Sequence, residues 1–456
     1  MKQPAWLEQR SIEFVPERER YGGPGRLFSI WFSINLSIVC LTVGTLGVGA
    51  GLPLLWALLA LALGNAAGTA LMAAHSAQGP HLGIPQMIQC RAQFGVLGAA
   101  LPLAAVVTTY TLYTAADGVV IRDTLKHLLP VGDDGALVLF GAATLVIAFA
   151  GYEAIHRLGK ILAVVSALLF LWVFVLLRHP AAPTPSLGAA VGQFTAAAFL
   201  LTVTQAAAWS LSFGPYVADY SRYLPASVSA KSTFWCTAAG NFVGSTLMMG
   251  LGAYLSATRP DLAHDPGTGI AALFGSGGYV VRVLLVIGVL EGNVMNLYSA
   301  YMSSATIFTG VRGMKTVQSG RKFLGMTVLA AVATLIAMIT QYDFDVYFSD
   351  MLSAMVYILV PWSAINLTDY YAVRRGRYDI AELYELDGSY GRINWTGCGV
   401  YLLGVLVQVP FATLSFHTGV LARAIGADVA WLPGSVIPAA VYWMVARKTC
   451  RDRTSH

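Results

Sequence analysis

Residues 205–225, QAAAWSLSFGPYVADYSRYLP, decide the fold of this chain. The stretch begins as an apolar helix but carries Trp209, Ser210 and Ser212 where a membrane helix usually has aliphatic residues. It then reaches a Gly-Pro pair at positions 214 and 215. Because proline lacks a backbone donor and glycine holds helical geometry weakly, the sequence predicts an interruption of the helix at this pair. Unpaired backbone groups inside a bilayer are tolerated only where they face protein or a water-filled cavity, so we expect half of a binding site here.

The composition places the chain in a membrane. Of its 456 residues, 56% are hydrophobic and 11% are charged, whereas about 25% of the residues in a soluble domain are charged. About 20 apolar residues span a bilayer, and the chain contains about twelve such runs. The runs are centred near Val39, Leu61, Val106, Leu145, Leu168, Phe199, Met248, Val289, Leu329, Val356, Val405 and Ala439. The sequence therefore predicts an all-α membrane protein with about 12 transmembrane helices.

The basic residues indicate topology rather than an anionic partner. If the loops alternate across the membrane from a cytoplasmic N-terminus, 22 of the 28 Lys and Arg residues lie on the inner side. Cytoplasmic loops carry an excess of Lys and Arg, so we expect both termini in the cytoplasm and an inner or plasma membrane location. Nucleic-acid binding is not needed to explain the net charge of +5.

The cysteines and the N-terminus carry little further signal. The five cysteines form no Cys-x-x-Cys pair and mostly lie in or beside apolar runs, so we expect buried hydrophobic residues rather than disulfide or metal chemistry. Residues 1–20 lack an apolar h-region, so no cleaved signal peptide is expected.

The sequence has no nucleophile elbow, phosphate loop, zinc motif or dinucleotide fingerprint, and we expect no enzymatic activity, no cofactor and no obligate protein partner.

Interrupted and polar spans recur five spans apart. Span one carries Ser33, Asn35 and Ser37 in its apolar run and matches the interrupted span six, while the polar spans three and eight form a second pair. Interrupted helices at matching places in two halves are typical of transporters built from inverted repeats. The expected organisation is a cytoplasmic tail (1–26), a first repeat of spans one to five (27–180), a second repeat of spans six to ten (190–372), a cytoplasmic loop (373–395), spans eleven and twelve (396–448) and a cytoplasmic tail (449–456).

Aromatic and amide side chains are the candidate ligand contacts. Trp209, Tyr110 and Tyr113 offer flat faces, and stacking a base on an aromatic ring contributes about 1–3 kcal/mol. For each tyrosine, core packing is an equally good interpretation. Asn293 and Asn296 lie three residues apart in span eight. An amide can form two hydrogen bonds with the edge of a purine or pyrimidine, although asparagine also mediates helix packing in membranes.

Three charged residues suggest coupling and gating. Glu291 is interpreted as the one carboxylate deep in an apolar run. A charged side chain there costs on the order of 3 kcal/mol on the insertion scale. A carboxyl group in apolar surroundings retains its proton more readily, which makes Glu291 a candidate proton carrier; a hydrogen-bonded structural glutamate is the alternative. Asp219 and Arg222 follow the Gly-Pro pair at the inner membrane edge. They form either a salt bridge that helps close an inner gate or a surface pair of little energetic weight.

Five segments resemble the purine–cytosine permeases of the nucleobase:cation symporter-1 family. They are WFSINLSIVCLTVGTLG (31–47), GPHLGIPQMIQCRAQFGVLGAALP (79–102), SFGPYVADYSRYLP (212–225), GNVMNLYSAYMSS (292–304) and DYYAVRRGRYDIAELY (369–384). The resemblance extends over nearly the whole chain. It implies a LeuT-type fold of two inverted five-helix repeats plus two further helices, alternating access, and uptake of a nucleobase-like substrate with Na+ or H+.

The resemblance also implies site residues. The substrate site would draw on Ser33 and Asn35 of span one, Tyr110 and Tyr113 of span three, Trp209, Ser210 and Ser212 of span six, and Asn293 and Asn296 of span eight. Sodium-coupled members bind the ion between span-one carbonyls, here those of Phe32 and Asn35, and span-eight hydroxyls. In this chain Gly292 and Asn293 stand where a Ser/Thr pair is expected, beside Glu291, which favours H+ over Na+.

We therefore expect a secondary-active importer of a nucleobase of the cytosine/purine type, acting in a lipid bilayer. Another ring amide, such as allantoin, hydantoin or a thiamine-precursor pyrimidine, is the alternative substrate. A channel would need a continuous polar lining, and a membrane enzyme would need a convergent set of titratable groups. A receptor would not accumulate its ligand above equilibrium.

Overall fold

The computed structural model describes residues 12–150, 152–177, 192–263, 265–312 and 319–454. Its helices are α1 (Gly25–Ile34), α2 (Ile38–Gly49), α3 (Leu54–Ser76), α4 (Gly79–Leu82), α5 (Gln86–Phe94), α6 (Ala100–Lys126), α7 (Asp133–Ala150), α8 (Tyr152–Leu177), α9 (Ala196–Ser212), α10 (Gly214–Ser221), α11 (Ala230–Thr258), α12 (Pro260–Ala263), α13 (Pro266–Ala272), α14 (Gly278–Arg312), α15 (Ser319–Thr340), α16 (Phe344–Leu367), α17 (Trp395–Leu406), α18 (Val420–Ile425) and α19 (Trp431–Thr454). A π-helix, Thr368–Val373, extends α16. The strands β1 (Thr413–Leu414) and β2 (His417–Thr418) form an antiparallel hairpin.

Each of the twelve predicted span centres lies in a helix. Within the described residues, six helical spans are long and apolar enough to cross a membrane, and α1 with α2 makes a seventh if the pair counts as one. The six are Leu54–Leu82, Ala100–Lys126, Ala196–Ser221, Gly275–Val311, Gly320–Thr340 and Phe344–Val373. The chain is therefore mostly helical with multiple membrane-spanning helices, and the count of twelve stays a prediction.

Several predicted boundaries lie partly outside the described residues. Residues 1–11 of the predicted N-terminal tail, the junction 180–190 between the predicted repeats, and residues 455–456 belong to this group. At the other end, α19 continues to Thr454. Most of the predicted C-terminal tail is thus helical.

Span one is broken, as predicted. Helix α1 ends at Ile34, and α2 begins at Ile38 at an angle of 63°. Ser37 is extended (φ −133°, ψ 153°), and its side chain accepts a hydrogen bond from the Cys40 N–H. A serine in this position satisfies one of the free donors of the new helix end. The break therefore leaves Asn35 between two helix ends.

The interruption of span six is smaller than predicted. Only Phe213 separates α9 from α10, and it keeps near-helical angles (φ −76°, ψ −16°). The two helices together form one span, Ala196–Ser221. Pro215 lies in the first turn of α10, where its missing N–H costs little because that donor would have no partner anyway. The Gly-Pro pair restarts the helix here, and α9 and α10 remain one span.

Two groups of helices pack around the centre of the molecule. In the first, α1, α2, α3, α9 and α11 contact one another. In the second, α6, α7, α14 and α15 do so. Close approach within the first group depends on glycine: a Cβ added at Gly44 of α2 would overlap the backbone of Met249 in α11, and one added at Gly252 would overlap Leu41. The candidate site lies where the two groups meet.

Candidate functional site

A cavity of about 460 Å³ lies between the two helix groups. This volume is within the usual range for sites that bind small molecules. Its aromatic lining consists of Tyr110, Tyr113, Trp209, Phe213, Tyr216 and Tyr220. Its polar lining consists of Arg26, Ser29, Ser33, Ser37, Asp117, Ser166, Ser212, Glu291 and Asn296. The cavity thus combines flat apolar faces with a few polar groups.

Trp209 is fixed by the break in span one. Its Nε1–H donates to Asn35 Oδ1 at 2.7 Å. The amide nitrogen of Asn35 donates to the Trp31 carbonyl at 2.6 Å and to Asn241 Oδ1 at 3.0 Å. Asn35 is fully buried and does not line the cavity. The structure therefore gives this residue a positioning role where we expected substrate contact.

Tyr113 presents an unpaired hydroxyl in the cavity wall. Its ring meets the Trp209 ring edge to face at a centroid distance of 5.7 Å. The hydroxyl is buried, and no described residue forms a hydrogen bond with it. An unpaired buried polar group is costly. A ligand that bonds to it would remove that cost.

Asp117 and Asn296 form a polar pair across the cavity. Asn296 Nδ2 donates to Asp117 Oδ2 at 3.1 Å, joining α14 to α6. Asp117 is 5% exposed and lines the cavity, so the expectation that Glu291 is alone as a deep carboxylate is wrong. The spacing holds a signal that the sequence analysis did not use: Asp117 lies four residues after Tyr113 and hence on the same helix face.

Tyr110 and Ser212 satisfy the backbone at the restart of span six. The Tyr110 hydroxyl donates to the Ser212 carbonyl at 3.0 Å. This carbonyl is released because Tyr216 N–H bonds instead to Phe213. The Ser212 hydroxyl donates to the Trp209 carbonyl at 2.7 Å. Both side chains line the cavity, but their hydroxyl protons serve the protein backbone.

The structure differs from expectation for Ser210 and Asn293, which do not line the cavity. Ser210 donates to Asn65 of α3 at 3.1 Å. Asn293 donates to Thr144 of α7 at 3.0 Å. Successive residues of a helix are rotated by about 100°. With Trp209 and Gly292 facing the cavity, their neighbours at the next position face adjacent helices.

The residues expected at an ion site are divided between two places. Glu291 and Gly292 line the cavity, and no described residue forms a hydrogen bond or ion pair with the Glu291 carboxylate. Phe32 lies outside the cavity, and its ring stacks on Phe28 at 5.7 Å. The Asn35 carbonyl accepts the Ser37 N–H at 2.8 Å. The expected ion ligands on span one were the backbone carbonyls of Phe32 and Asn35; neither residue lines the cavity with Glu291, and the ion site stays a prediction.

The two residues expected at a gate tie α10 to neighbouring segments. Asp219 Oδ1 accepts the Gln86 N–H of α5 at 2.8 Å. Arg222 is 3% exposed, so it is not a surface residue. Its guanidinium donates to the Asp219 carbonyl at 3.3 Å and to the Glu13 carbonyl at 3.2 Å. These contacts bind the end of span six to the segment before α1 and to α5.

Comparisons with known proteins agree on one family. The family described as "Permease for cytosine/purines, uracil, thiamine, allantoin" matches residues 14–434. YxlA of Bacillus subtilis, provisionally named a purine-cytosine permease, is 37% identical over 99% of this chain and 98% of its own length. The purine-cytosine permease FCY2 of Saccharomyces cerevisiae is 26% identical over 92% of this chain and 81% of its own.

Solved structures show the same fold. The transporter Mhp1 in its inward-facing conformation superposes with a TM-score of 0.76 at 17% identity, covering 98% of this chain and 94% of Mhp1. Mhp1 of the nucleobase-cation-symport-1 family, closed around bromovinylhydantoin, also gives 0.76 at 17% identity, with 98% and 97% covered. The chain is a multi-pass membrane transporter and belongs to the permease family for cytosine/purines, uracil, thiamine and allantoin, the purine–cytosine permeases of the nucleobase:cation symporter-1 family.

Proposed function

We propose that this protein is a secondary-active symporter that imports a nucleobase of the cytosine/purine type, coupled to H+, across the cell membrane. The observation that carries the proposal is the cavity in which Trp209 and Tyr113 lie beside the pair Asp117 and Asn296. The expected two inverted five-helix repeats, with both termini cytoplasmic, belong to the same proposal. The two helix groups that meet at the cavity support a site that opens by movement of one group against the other.

The chemistry of the lining supports a flat, polar ring as the substrate. Stacking on an aromatic face contributes about 1–3 kcal/mol per base. The Asp117 carboxylate accepts N–H groups, the free Tyr113 hydroxyl can donate, and Asn296 can do both. One stacked face with two or three hydrogen bonds is sufficient for affinity in the micromolar range, about −8 kcal/mol.

The position of Glu291 supports H+ as the coupling ion. Its carboxylate reaches the cavity and has no partner among the described residues. A carboxyl group in such a place can take up a proton when the cavity opens to one side and lose it on the other. Gly292 and Asn293 supply no side-chain hydroxyl next to it, which is the donor type that a sodium site on this helix would need.

Uptake into proteoliposomes tests the proposal. We expect saturable uptake of labelled cytosine or adenine that an inward H+ gradient drives above equilibrium. Glu291→Gln should reduce this accumulation at least tenfold, whereas Glu382→Gln in the loop after α16 should not. Competition by allantoin, hydantoin and thiamine-precursor pyrimidines separates the substrate classes. Accumulation driven by sodium alone with E291Q unimpaired would reject H+ coupling, and non-saturable flux would indicate a channel.

A further inference from the structure

A second concave surface lies apart from the cavity between the two helix groups. It has a volume of about 890 Å³ and is formed by the turn after the π-helix, residues 388–391, 393 and 394, and the second half of α19, whereas Arg392 does not line it. It shares no lining residue with the cavity between the helix groups. Four arginines line it: Arg374, Arg375, Arg377 and Arg447. We call this surface the arginine groove.

Three of the four arginines are not neutralised by a described carboxylate. Arg374 pairs with the buried Asp369 at 3.2 Å. Arg375, Arg377 and Arg447 form no ion pair with any described residue. Among the described residues, no Asp or Glu lines the groove. Of the acidic residues close in sequence, Asp387 pairs with Arg392 at 2.7 Å, and Glu382 accepts the Ser389 N–H at 2.6 Å. The groove therefore carries an excess of positive charge.

The backbone that presents these arginines is held in a defined shape. Arg375 has a positive φ of 52°, and Gly376 follows with a φ of 76°. The Gly376 N–H donates to the Tyr370 carbonyl at 2.9 Å, and the Arg374 N–H donates to the Asp369 carbonyl at 2.7 Å. Since Asp369 also accepts from Tyr378 and Tyr442, the turn is fixed to α19. The excess of Lys and Arg in cytoplasmic loops explains why arginines occur in this part of the chain. It does not explain why four of them line one groove of fixed shape.

The surroundings of the groove are apolar and exposed. The span Phe344–Val373 ends at its edge. Ile393 lines the groove, and Trp395, Trp443 and Met444 neighbour its lining residues in sequence. All four are at least 40% exposed, and Trp395 reaches 76%. Tryptophan is enriched at membrane–water interfaces. A ligand that fits here has an anionic head for the arginines and apolar tails for the flanking surface.

We propose that the arginine groove binds the headgroup of an anionic glycerophospholipid. Arginine forms paired hydrogen bonds with phosphate oxygens, and basic pockets beside membrane helices are suited to such headgroups. Because the groove is built from the end of span ten and from α19, a bound headgroup bridges the two elements. Occupancy therefore stabilises their packing. The proposal is independent of the substrate that the cavity takes.

Thermal unfolding and native mass spectrometry of the full chain in detergent test the groove. The probes are phosphatidylglycerol, phosphatidylcholine of the same chain length, and inorganic phosphate. We expect phosphatidylglycerol to raise the unfolding temperature and to be retained in the spectrum, and the other two to do neither. In Arg375→Gln/Arg377→Gln/Arg447→Gln, the apparent affinity for phosphatidylglycerol should fall at least tenfold. Arg392→Gln, which removes an exposed arginine paired with Asp387, should leave it unchanged.

Three outcomes overturn the proposal. They are equal stabilisation by phosphatidylcholine, binding of inorganic phosphate as tight as that of the lipid, and unchanged lipid affinity in the triple variant. If the triple variant does not fold, the single variants R375Q and R447Q decide the question. Each should weaken lipid binding severalfold while keeping the unfolding temperature that the unmodified chain shows in detergent without added lipid.

Discussion

The place of Trp209 in the cavity depends on one residue, Asn35, whose side chain bonds to four protein partners, Trp31, Asn241, Trp209 and the Cys40 thiol. Replacing Asn35 with alanine leaves the Trp209 Nε1–H without its acceptor, at a cost of about 1–3 kcal/mol for a buried donor. We expect N35A to lower the unfolding temperature and to weaken substrate binding at least tenfold, measured by thermal unfolding and ligand titration on purified protein.

A double-mutant cycle separates this positioning role from general damage. Trp209→Phe removes the donor, so N35A and W209F together should cost clearly less than the sum of the two. Trp56→Phe changes a tryptophan of α3 that is 42% exposed and should combine additively with N35A. Additivity in both cycles would show that the hydrogen bond does not hold Trp209.

For single residues, the sequence predicted which residue types form the site better than it predicted which side of the helix each residue faces. Trp209, Tyr113 and Asn296 were singled out, and the structure places all three in the cavity wall. Ser210 and Asn293 have the same polar character but face neighbouring helices. A single sequence does not contain the rotation of a helix relative to its neighbours, because apolar residues surround a membrane helix on all sides. Asp117 was missed because the sequence suggested a position near the outer end of span three, whereas α6 continues to Lys126 and Asp117 is buried.

Among the elements, α2 depends on close backbone contact with α11. A Cβ at Gly44 would overlap the Met249 backbone, while one at Gly49, in the same helix, would meet no atom within 4 Å. Overpacking of this kind costs about 1–3 kcal/mol. We expect Gly44→Ala to lower the unfolding temperature and Gly49→Ala to leave it unchanged or slightly higher, measured on matched samples in one detergent. Equal effects of the two substitutions would contradict this packing.

The two interrupted spans show what local chemistry can and cannot predict. In span one, the side chains of Asn35 and Ser37 both bond to the backbone. The break was predicted from these polar residues, whereas its 63° angle was not. In span six the Gly-Pro pair falls in the first turn of α10, where proline fits the helix. Whether a proline ends a helix or begins one depends on the tertiary contacts of the preceding turn, here the bond from Tyr110 to Ser212.

For the molecule as a whole, the helical class and the family could be predicted from the sequence, because hydrophobic runs and long motifs are visible in the sequence itself. The grouping of α1, α2, α3, α9 and α11 against α6, α7, α14 and α15 was not readable. It depends on contacts between helices that are distant in sequence, such as Asn35 with Asn241. The cavity lies between these groups, so motion of one group against the other changes access to it.

The position of Ser29 in the cavity lining gives a prediction for the whole molecule. The cavity extends along α1 to Ser29 and Arg26, on the side predicted to be cytoplasmic. Ser276, between α13 and α14, is exposed and lies beyond the end of α11, on the predicted outer side. We expect Ser29→Cys to react with a membrane-impermeant maleimide from the cytoplasmic face alone, and bound substrate to slow this reaction. Ser276→Cys should react from the opposite face at a rate that substrate does not change.

The parent chain, with its five cysteines, supplies the background labelling in both membrane orientations. Reaction of S29C from the outer face, or of both variants from the same face, would overturn the predicted orientation. If substrate did not slow the reaction of S29C, the ligand would not occupy this cavity.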